Sequence, residues 1–304
     1  MEHYYSLDRY LKETYGGKVY KLALSGGFTC PNRDSTVGQG GCIFCSAGGS
    51  GDFAEQPCGS IREQIGRAKA RVAKKAKGAV GYIAYFQSYT NTYAPVSDLE
   101  PLFLSAMAED DIVGISIATR PDCLGKDVID LLERLNRIKP VMVELGLQTI
   151  HPATAAYIRR GYPLSVYDEA ISDLRRIGVH TVTHVILGLP HESPEMMLET
   201  VRYVGEKGSD GIKLQLLHVM EDTDLAEEYR KGVFTCMDED AYISLVCDCL
   251  EILPPETVIH RLTGDAPKRT LLAPLWSANK REVRNRMAAY MRLRDLKQGS
   301  KYRP

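Results

Sequence analysis

An α/β fold built as a partial (β/α)6 barrel, with a mainly helical C-terminal extension, is what this sequence of 304 residues predicts. Three observations carry that expectation. Short apolar, β-branched runs alternate with segments of helical period, and from the second run on their starts lie roughly 30 to 40 residues apart, the size of a βα unit. Runs such as Ile83-Ala84-Tyr85-Phe86 and Val185-Ile186-Leu187 are apolar throughout, as in parallel strands buried on both faces. Polar residues gather where strand after strand ends, and no Gly-x-Gly-x-x-Gly opens the first helix. Both favour a TIM-type barrel over a doubly wound sheet.

The expected strands are Val19–Ser25, Val80–Gln87, Ile112–Ala118, Val141–Gln148, His180–Leu187 and Gly211–Leu216. A helical stretch follows each: Ile61–Lys77, Ser97–Ala108, Lys126–Ile138, Ser165–Ile177, Glu195–Lys207 and Asp222–Arg230. Residues 1–231 are therefore expected to form the barrel. Residues 232–304 form an extension packed on it, with helices at Asp238–Leu253 and Ala278–Leu296, a short strand at Thr257–Arg261, and the Gly264-Asp265-Ala266-Pro267 turn. In a parallel barrel the loops at the C-terminal ends of the strands build the active site. Those ends carry Cys30, then Gln87-Ser88-Tyr89-Thr90-Asn91, Thr119-Arg120-Pro121-Asp122, Glu144 with Gln148, Gly188-Leu189-Pro190, and His218.

Composition narrows the class. With 44% hydrophobic and 25% charged residues, the chain is ordinary globular, and a fold of this length buries roughly 75% of its unfolded surface. No apolar run approaches the roughly 18 residues of a membrane span. Met1-Glu2-His3-Tyr4-Tyr5 has neither a basic head nor an apolar stretch, so no signal peptide is expected. A soluble cytoplasmic protein is the expectation.

The 38 Lys+Arg nearly balance the 39 Asp+Glu, but unevenly along the chain. Residues 279–304 carry nine cations against Glu282 and Asp295, and residues 62–77 carry seven against Glu63. Such segments either follow a phosphate backbone or are solvated helix faces.

Of eight cysteines, Cys30, Cys42, Cys45 and Cys58 fall close together near the N-terminus. In a reducing compartment clustered cysteines are more often metal-binding or catalytic than disulfide-bonded. Cys30, Cys42 and Cys45 are spaced C-x11-C-x2-C in a loop with three glycines and a proline, and soft thiolates select zinc or iron–sulfur clusters. Structural zinc requires a fourth ligand, for which Cys58 is available. Three thiolates on a four-iron cluster would leave one iron open, as catalytic metal sites do. A thiol redox pair, Cys42 and Cys45, is a further reading. Cys123 and Cys58 stand alone. Cys247 and Cys249, two apart on a helix, point about 200° from each other, which disfavours a second cluster with Cys236.

The Cys30–Cys45 loop, Ala118-Thr119-Arg120-Pro121-Asp122, Glu144-Leu145-Gly146-Leu147-Gln148, Gly188-Leu189-Pro190 and Arg261-Leu262-Thr263-Gly264-Asp265-Ala266-Pro267 together resemble the radical S-adenosylmethionine superfamily. More narrowly they resemble the YhcC-like group and the radical domain of the Elongator catalytic subunit. The superfamily's commonest spacing is C-x3-C-x2-C, and the eight extra residues here point to that branch. The resemblance implies a 4Fe–4S cluster on Cys30, Cys42 and Cys45, with S-adenosyl-L-methionine on the open iron. It also implies a one-electron reductant such as flavodoxin or ferredoxin. Reductive cleavage would give a 5′-deoxyadenosyl radical that acts on a substrate. Cofactor contacts are then expected from Phe44, Gln87, Ser88, Asn91, Arg120, Glu144, Gln148 and Gly188. Structured RNA such as tRNA, met through residues 62–77 and 279–304, is the expected substrate class. A small metabolite, a peptide, or a non-catalytic zinc- or cluster-bearing RNA-binding module are the alternatives.

Overall fold

The structure is a computed structural model and describes residues 3–49, 51, 54–55 and 59–303. In chain order the elements are α1 (Leu7–Tyr15), β1 (Lys18–Leu24), α2 (Ile61–Val72), β2 (Ala79–Phe86), α3 (Val96–Met107), β3 (Ile112–Thr119), α4 (Lys126–Asn136) and β4 (Val141–Gln148). Then come α5 (Pro152–Tyr157), α6 (Leu164–Arg176), β5 (His180–Leu187), α7 (Pro194–Glu206), β6 (Gly211–Leu216) and β7 (Val219–Met220). The chain ends with α8 (Asp224–Arg230), α9 (Glu239–Ile252), β8 (Val258–Arg261), β9 (Leu271–Ala273) and α10 (Lys280–Leu293). Among the described residues no helix is long and apolar enough to cross a membrane.

Seven strands form one sheet in the order β1-β2-β3-β4-β5-β6-β8, every neighbouring pair parallel. The order follows the chain without reversal. Parallel crossovers are right-handed, so a sequential order puts all crossover helices on one face and curls the sheet into a partial barrel. The expected architecture is therefore present. The sheet goes one strand further, because the short strand β8 pairs with β6.

The two faces of the sheet differ in chemistry. Outward positions such as Leu22, Leu24, Phe86, Ile117, Val143, Leu145 and Leu214 are buried with the helices in one large apolar core. Inward positions are layered. At the N-terminal end, Val19, Ile83 and Met142 pack with Leu11 of α1, which closes that mouth. Above them lies a polar layer built on Lys21, Tyr85, Ser116, Glu144, His184 and Lys213. The helix α1 itself is absent from the sequence reading. Its Ser6 cap, which accepts from the Arg9 N–H, and Gly16 at φ 72 are ordinary start and stop signals.

Two half-buried histidines, His180 on β5 and His260 on β8, sit beside Tyr10 of α1, with Tyr10–His180 ring centroids 5.0 Å apart and His180–His260 5.8 Å. Both His260 ring nitrogens and Nε2 of His180 are buried without a hydrogen-bond partner. Burial pushes both imidazoles below their ordinary value, His260 far below, and the Lys21 charge acts in the same direction. A histidine held neutral by the fold takes up its proton only on unfolding, so stability is intact above about 6.5 and declines as pH falls from there. Thermal melts from pH 7 to pH 5 should show a falling midpoint, and His260→Leu should make the fall shallower. Equal slopes for both proteins would show that His260 is not held neutral.

Candidate active site

The loop after β1 folds around Asn32, which is buried. The Gly41 N–H donates to the Asn32 carbonyl at 2.8 Å, and the residues between close on themselves through the Asp34–Gln39 bridge. The eight extra residues thus form a small hairpin that returns Cys42 to the neighbourhood of Cys30. Gly40 and Gly41, at φ 77 and 90, take backbone angles that side chains resist. Asn32 Nδ2 donates to the Arg159 carbonyl at 2.5 Å and reaches Cys42 Sγ at 3.4 Å. Arg33 Nη2 donates to the carbonyls of Cys45 and Ser46 at 3.0 and 2.5 Å.

Cys30, Cys42, Cys45 and Phe44 line one cavity of about 270 Å³ at the C-terminal ends of the strands. Among the described residues, no group of three or more His, Cys, Asp or Glu side chains is arranged to hold one metal ion. Cluster thiolates need not share an ion, since each binds its own iron. Cys58 lies outside the described residues. Burial, with Cys45 next, pushes the Cys42 thiol up to about 11. That is opposite to the lowered value a redox thiolate needs.

The other expected residues divide. Gln87, Arg120, Glu144 and Gln148 line the same cavity. Gln148 stands at a register shift between β4 and β5 with φ 69, and its Oε1 is buried without a partner. A strained backbone and an unpaired buried acceptor are both features that cluster at functional positions. Beside it Gly146 leaves space: a Cβ there would come within 3.0 Å of Gln148 Nε2. Arg120 is already bidentate with Asp122, Nε–Oδ1 2.9 Å and Nη2–Oδ2 2.7 Å. Ser88 and Asn91 are buried behind the cavity wall. Asn91 Nδ2 donates to the carbonyls of Ser88 and Ala118, both at 3.0 Å, tying the β2 loop to β3. Gly188, at φ 88, makes the turn after β5 outside the cavity lining.

Glu144 is the hub of the polar layer. Its Oε1 accepts from Lys21 Nζ at 2.7 Å and Ser116 Oγ at 2.9 Å. Its Oε2 accepts from Tyr85 at 2.9 Å, from His184 Nε2 at 2.8 Å, and from Lys213. These donors come from β1, β2, β3, β5 and β6. Burial favours the neutral acid, but Lys21, Lys213 and His184 overcome it and hold the carboxyl well below the usual range. Lys213 is brought down to about 7 by burial, against the pull of Glu144 and with Arg261 and Lys21 adding to the fall. His184 is pushed down to about 4 by burial, with Lys213 next, so it is neutral. Glu144 thus has a full set of protein donors while it also lines the cavity.

Lys21, Tyr85, Lys213 and Arg160 escape the sequence reading, and Arg261 enters it only as part of a family motif without a role. A lone lysine inside an apolar strand, as in Val19-Tyr20-Lys21-Leu22 and Ile212-Lys213-Leu214, was the available signal. Arg160 is buried, and among the described residues its acceptors are only the backbone carbonyls of Leu147, Thr149 and Tyr162. Cys247 and Cys249 are buried in the main core.

This arrangement defines a parallel half-barrel enzyme whose cysteine loop follows the first strand and faces a polar cavity. The chain belongs to the radical SAM superfamily: that family's model matches residues 30–204, and its C-terminal domain matches residues 209–292. It is 49% identical over 282 residues to uncharacterized protein YtqA of Bacillus subtilis, covering 93% of this chain and 87% of that one. It is 40% identical over 271 residues to protein YhcC of Escherichia coli, covering 89% and 86%. Elongator complex protein 3 of Schizosaccharomyces pombe is 25% identical over 340 residues, covering 95% of this chain and 61% of that one. Among solved structures, the archaeal Methanocaldococcus infernus Elp3 superposes with a TM-score of 0.69 at 18% identity, over 92% of this chain and 64% of that one. The chain is a radical S-adenosylmethionine enzyme, and its cofactors are those of the superfamily, a 4Fe–4S cluster and S-adenosylmethionine.

If Glu144 holds the barrel together, removing its charge leaves two lysines facing each other in the interior. Breaking one partner of a buried ion pair costs about 3–5 kcal/mol, whereas removing both is far milder. Glu144→Gln should therefore be strongly destabilised in urea unfolding, and Glu144→Gln with Lys213→Met should recover much of the loss. A single variant as stable as the parent would show that the network holds nothing.

Proposed function

We propose that Cys30, Cys42 and Cys45 are the three ligands of the 4Fe–4S cluster and that S-adenosylmethionine occupies the cavity beside them. The observation that carries this reading is the convergence of three thiols on a cavity that also holds the Gln148 acceptor, unpaired among the described residues. When bound, the two cofactors supply a reductively generated 5′-deoxyadenosyl radical.

The chain's own residues have separable tasks. Asn32 donates toward Cys42 Sγ, and donors to cluster sulfurs adjust the potential. Arg33 holds the backbone of Cys45 in place. Phe44 packs with the apolar cluster of Ile43, Ile158, Ile186 and Leu217 and keeps water from that side of the cavity. Gln148 Oε1 receives a hydroxyl or ammonium donor, and Gly146 lets a flat group approach the strand. Arg160, with no carboxylate partner among the described residues, sets a positive charge against the negative cluster or the cofactor carboxylate. Arg120, neutralised by Asp122, orients the loop and contributes no net charge.

Anaerobic reconstitution should give about four irons per chain, the content of one such cluster, and dithionite-reduced protein should release 5′-deoxyadenosine. Cys30→Ala should abolish both. Stoichiometric zinc without iron uptake would overturn the reading.

A second reading concerns the substrate. RNA is favoured by exposed arginines on α10: Arg281, Arg284 and Arg292 lie on one strip of the helix. A relative named tRNA uridine(34) acetyltransferase, from Dehalococcoides mccartyi, is 32% identical over 54% of this chain and 36% of its own. Part of the remaining basic charge is ion-paired within the chain. Arg286 pairs with Glu239 and Asp240, Arg294 with Asp248 and Glu251, and Lys69 of α2 with Asp111. Replacing Arg281, Arg284 and Arg292 by Gln should flatten the salt dependence of RNA binding by about 0.7 to 0.9 in log–log slope per lost contact. An unchanged slope would remove RNA from consideration at this face.

A further inference from the structure

We propose that Lys213 and Arg261, with His218 beside them, form a receiving site for an anionic group of the substrate, a carboxylate or a phosphate. The word substrate rests on the radical-enzyme reading, but the binding itself requires neither iron nor turnover.

Lys213 on β6 and Arg261 on β8 are register partners on adjacent parallel strands, and both line the cavity. Like charges facing each other across neighbouring strands repel, so this placement calls for a negative group. The protein does not supply enough. Glu144 is shared between Lys213 and Lys21. Asp265, 3.8 Å from Arg261, is ion-paired with Lys280. Four basic side chains thus share two carboxylates.

Donors are also left over. Among the described residues, the Arg261 guanidinium makes no hydrogen bond, its nearest carboxylate oxygen being that of Asp265 at 3.8 Å. Lys213 gives one proton to Glu144 and one to Tyr85 at 3.0 Å, leaving the third of its three donors unused. His218 lines the same cavity and packs on Gly264, where a Cβ would sit 2.7 Å from the imidazole Cε1. Burial brings His218 down to about 4 against the pull of Asp265, with Arg261 and Lys280 adding to the fall. It is therefore a neutral ring that can donate one N–H to an oxyanion. A guanidinium fork, an ammonium and an imidazole N–H on one cavity wall match the oxygens of a carboxylate or phosphate.

The test is isothermal titration of the full chain, both without iron and after anaerobic reconstitution, with inorganic phosphate and with succinate at ionic strength matched by chloride. One saturable site is expected for at least one of the two anions, with the same affinity in both preparations. Phosphate binding alone identifies the phosphate source, and succinate binding alone the carboxylate. Arg261→Gln and Lys213→Met should each weaken it at least tenfold, and Arg261→Lys should keep a measurable part. Circular dichroism of each variant confirms that it is folded. S-adenosylhomocysteine should bind alongside the anion. The proposal is overturned if neither anion binds beyond chloride, if folded Arg261→Gln binds as tightly as the parent, or if S-adenosylhomocysteine expels the anion. Iron and sulfide analysis of the same samples judges the radical reading separately.

Discussion

Glu144 ties five strands of the sheet to one another through a single carboxylate. The interior of a closed parallel barrel is ordinarily filled by branched apolar side chains in layers. Here one layer is ionic: Lys21 from β1 and Lys213 from β6 meet Glu144 from β4. These strands are not neighbours in the sheet, so their side chains can meet only across the concave face. The contacts therefore report the curl of the sheet directly. A buried ion network of this kind is seldom a gain in stability over an apolar core. Its value lies in geometry, because charged side chains tolerate few alternative partners in a low-dielectric interior.

From that layer the rest of the site follows. Below it, Leu11 of α1 seals an apolar plug. Above it, the strands end in a cavity whose walls differ by origin. The β1 loop brings soft thiols. The far strands, β6 and β8, bring hard cations. Gln148, aimed by the irregularity between β4 and β5, stands with an unpaired acceptor. The C-terminal region belongs to this construction, since Arg261, Gly264, Asp265, Ala266 and Pro267 also line the cavity.

The sequence made the strands legible because their outward faces are apolar and β-branched, and β4, β5 and β6 begin and end at the expected residues. It made the cysteine loop legible because thiols are rare and their spacing is informative. It left the ionic layer obscure for a physical reason. A strand buried on both faces reads as one apolar run, and a single Lys21 or Lys213 inside it gives no sign of its partner across the barrel. Glu144 reads from the sequence as a polar residue in a strand, and nothing local to it announces the five side-chain donors that topology brings to it. The joining of β8 to β6 was equally hidden, since Val258–Arg261 is only four residues long and its neighbour is fixed by tertiary contact.

The basic C-terminal segment shows how far a charge count can mislead. Nine cations in residues 279–304 read as a surface for polyanions. In the fold, α10 buries Val283, Met287 and Met291 and lies along α9, whose Glu239, Asp240, Asp248 and Glu251 receive Arg286 and Arg294. Much of the positive charge is therefore complementarity within the chain, and α10 is an integral part of the domain. The same arithmetic works in reverse inside the cavity. No excess of charge is visible in the sequence there, yet topology brings Lys213 and Arg261 side by side with too few carboxylates between them. Charge becomes functional information only when its partners are known. On that criterion the cavity wall, more than the basic tail, carries the surplus that a substrate can answer.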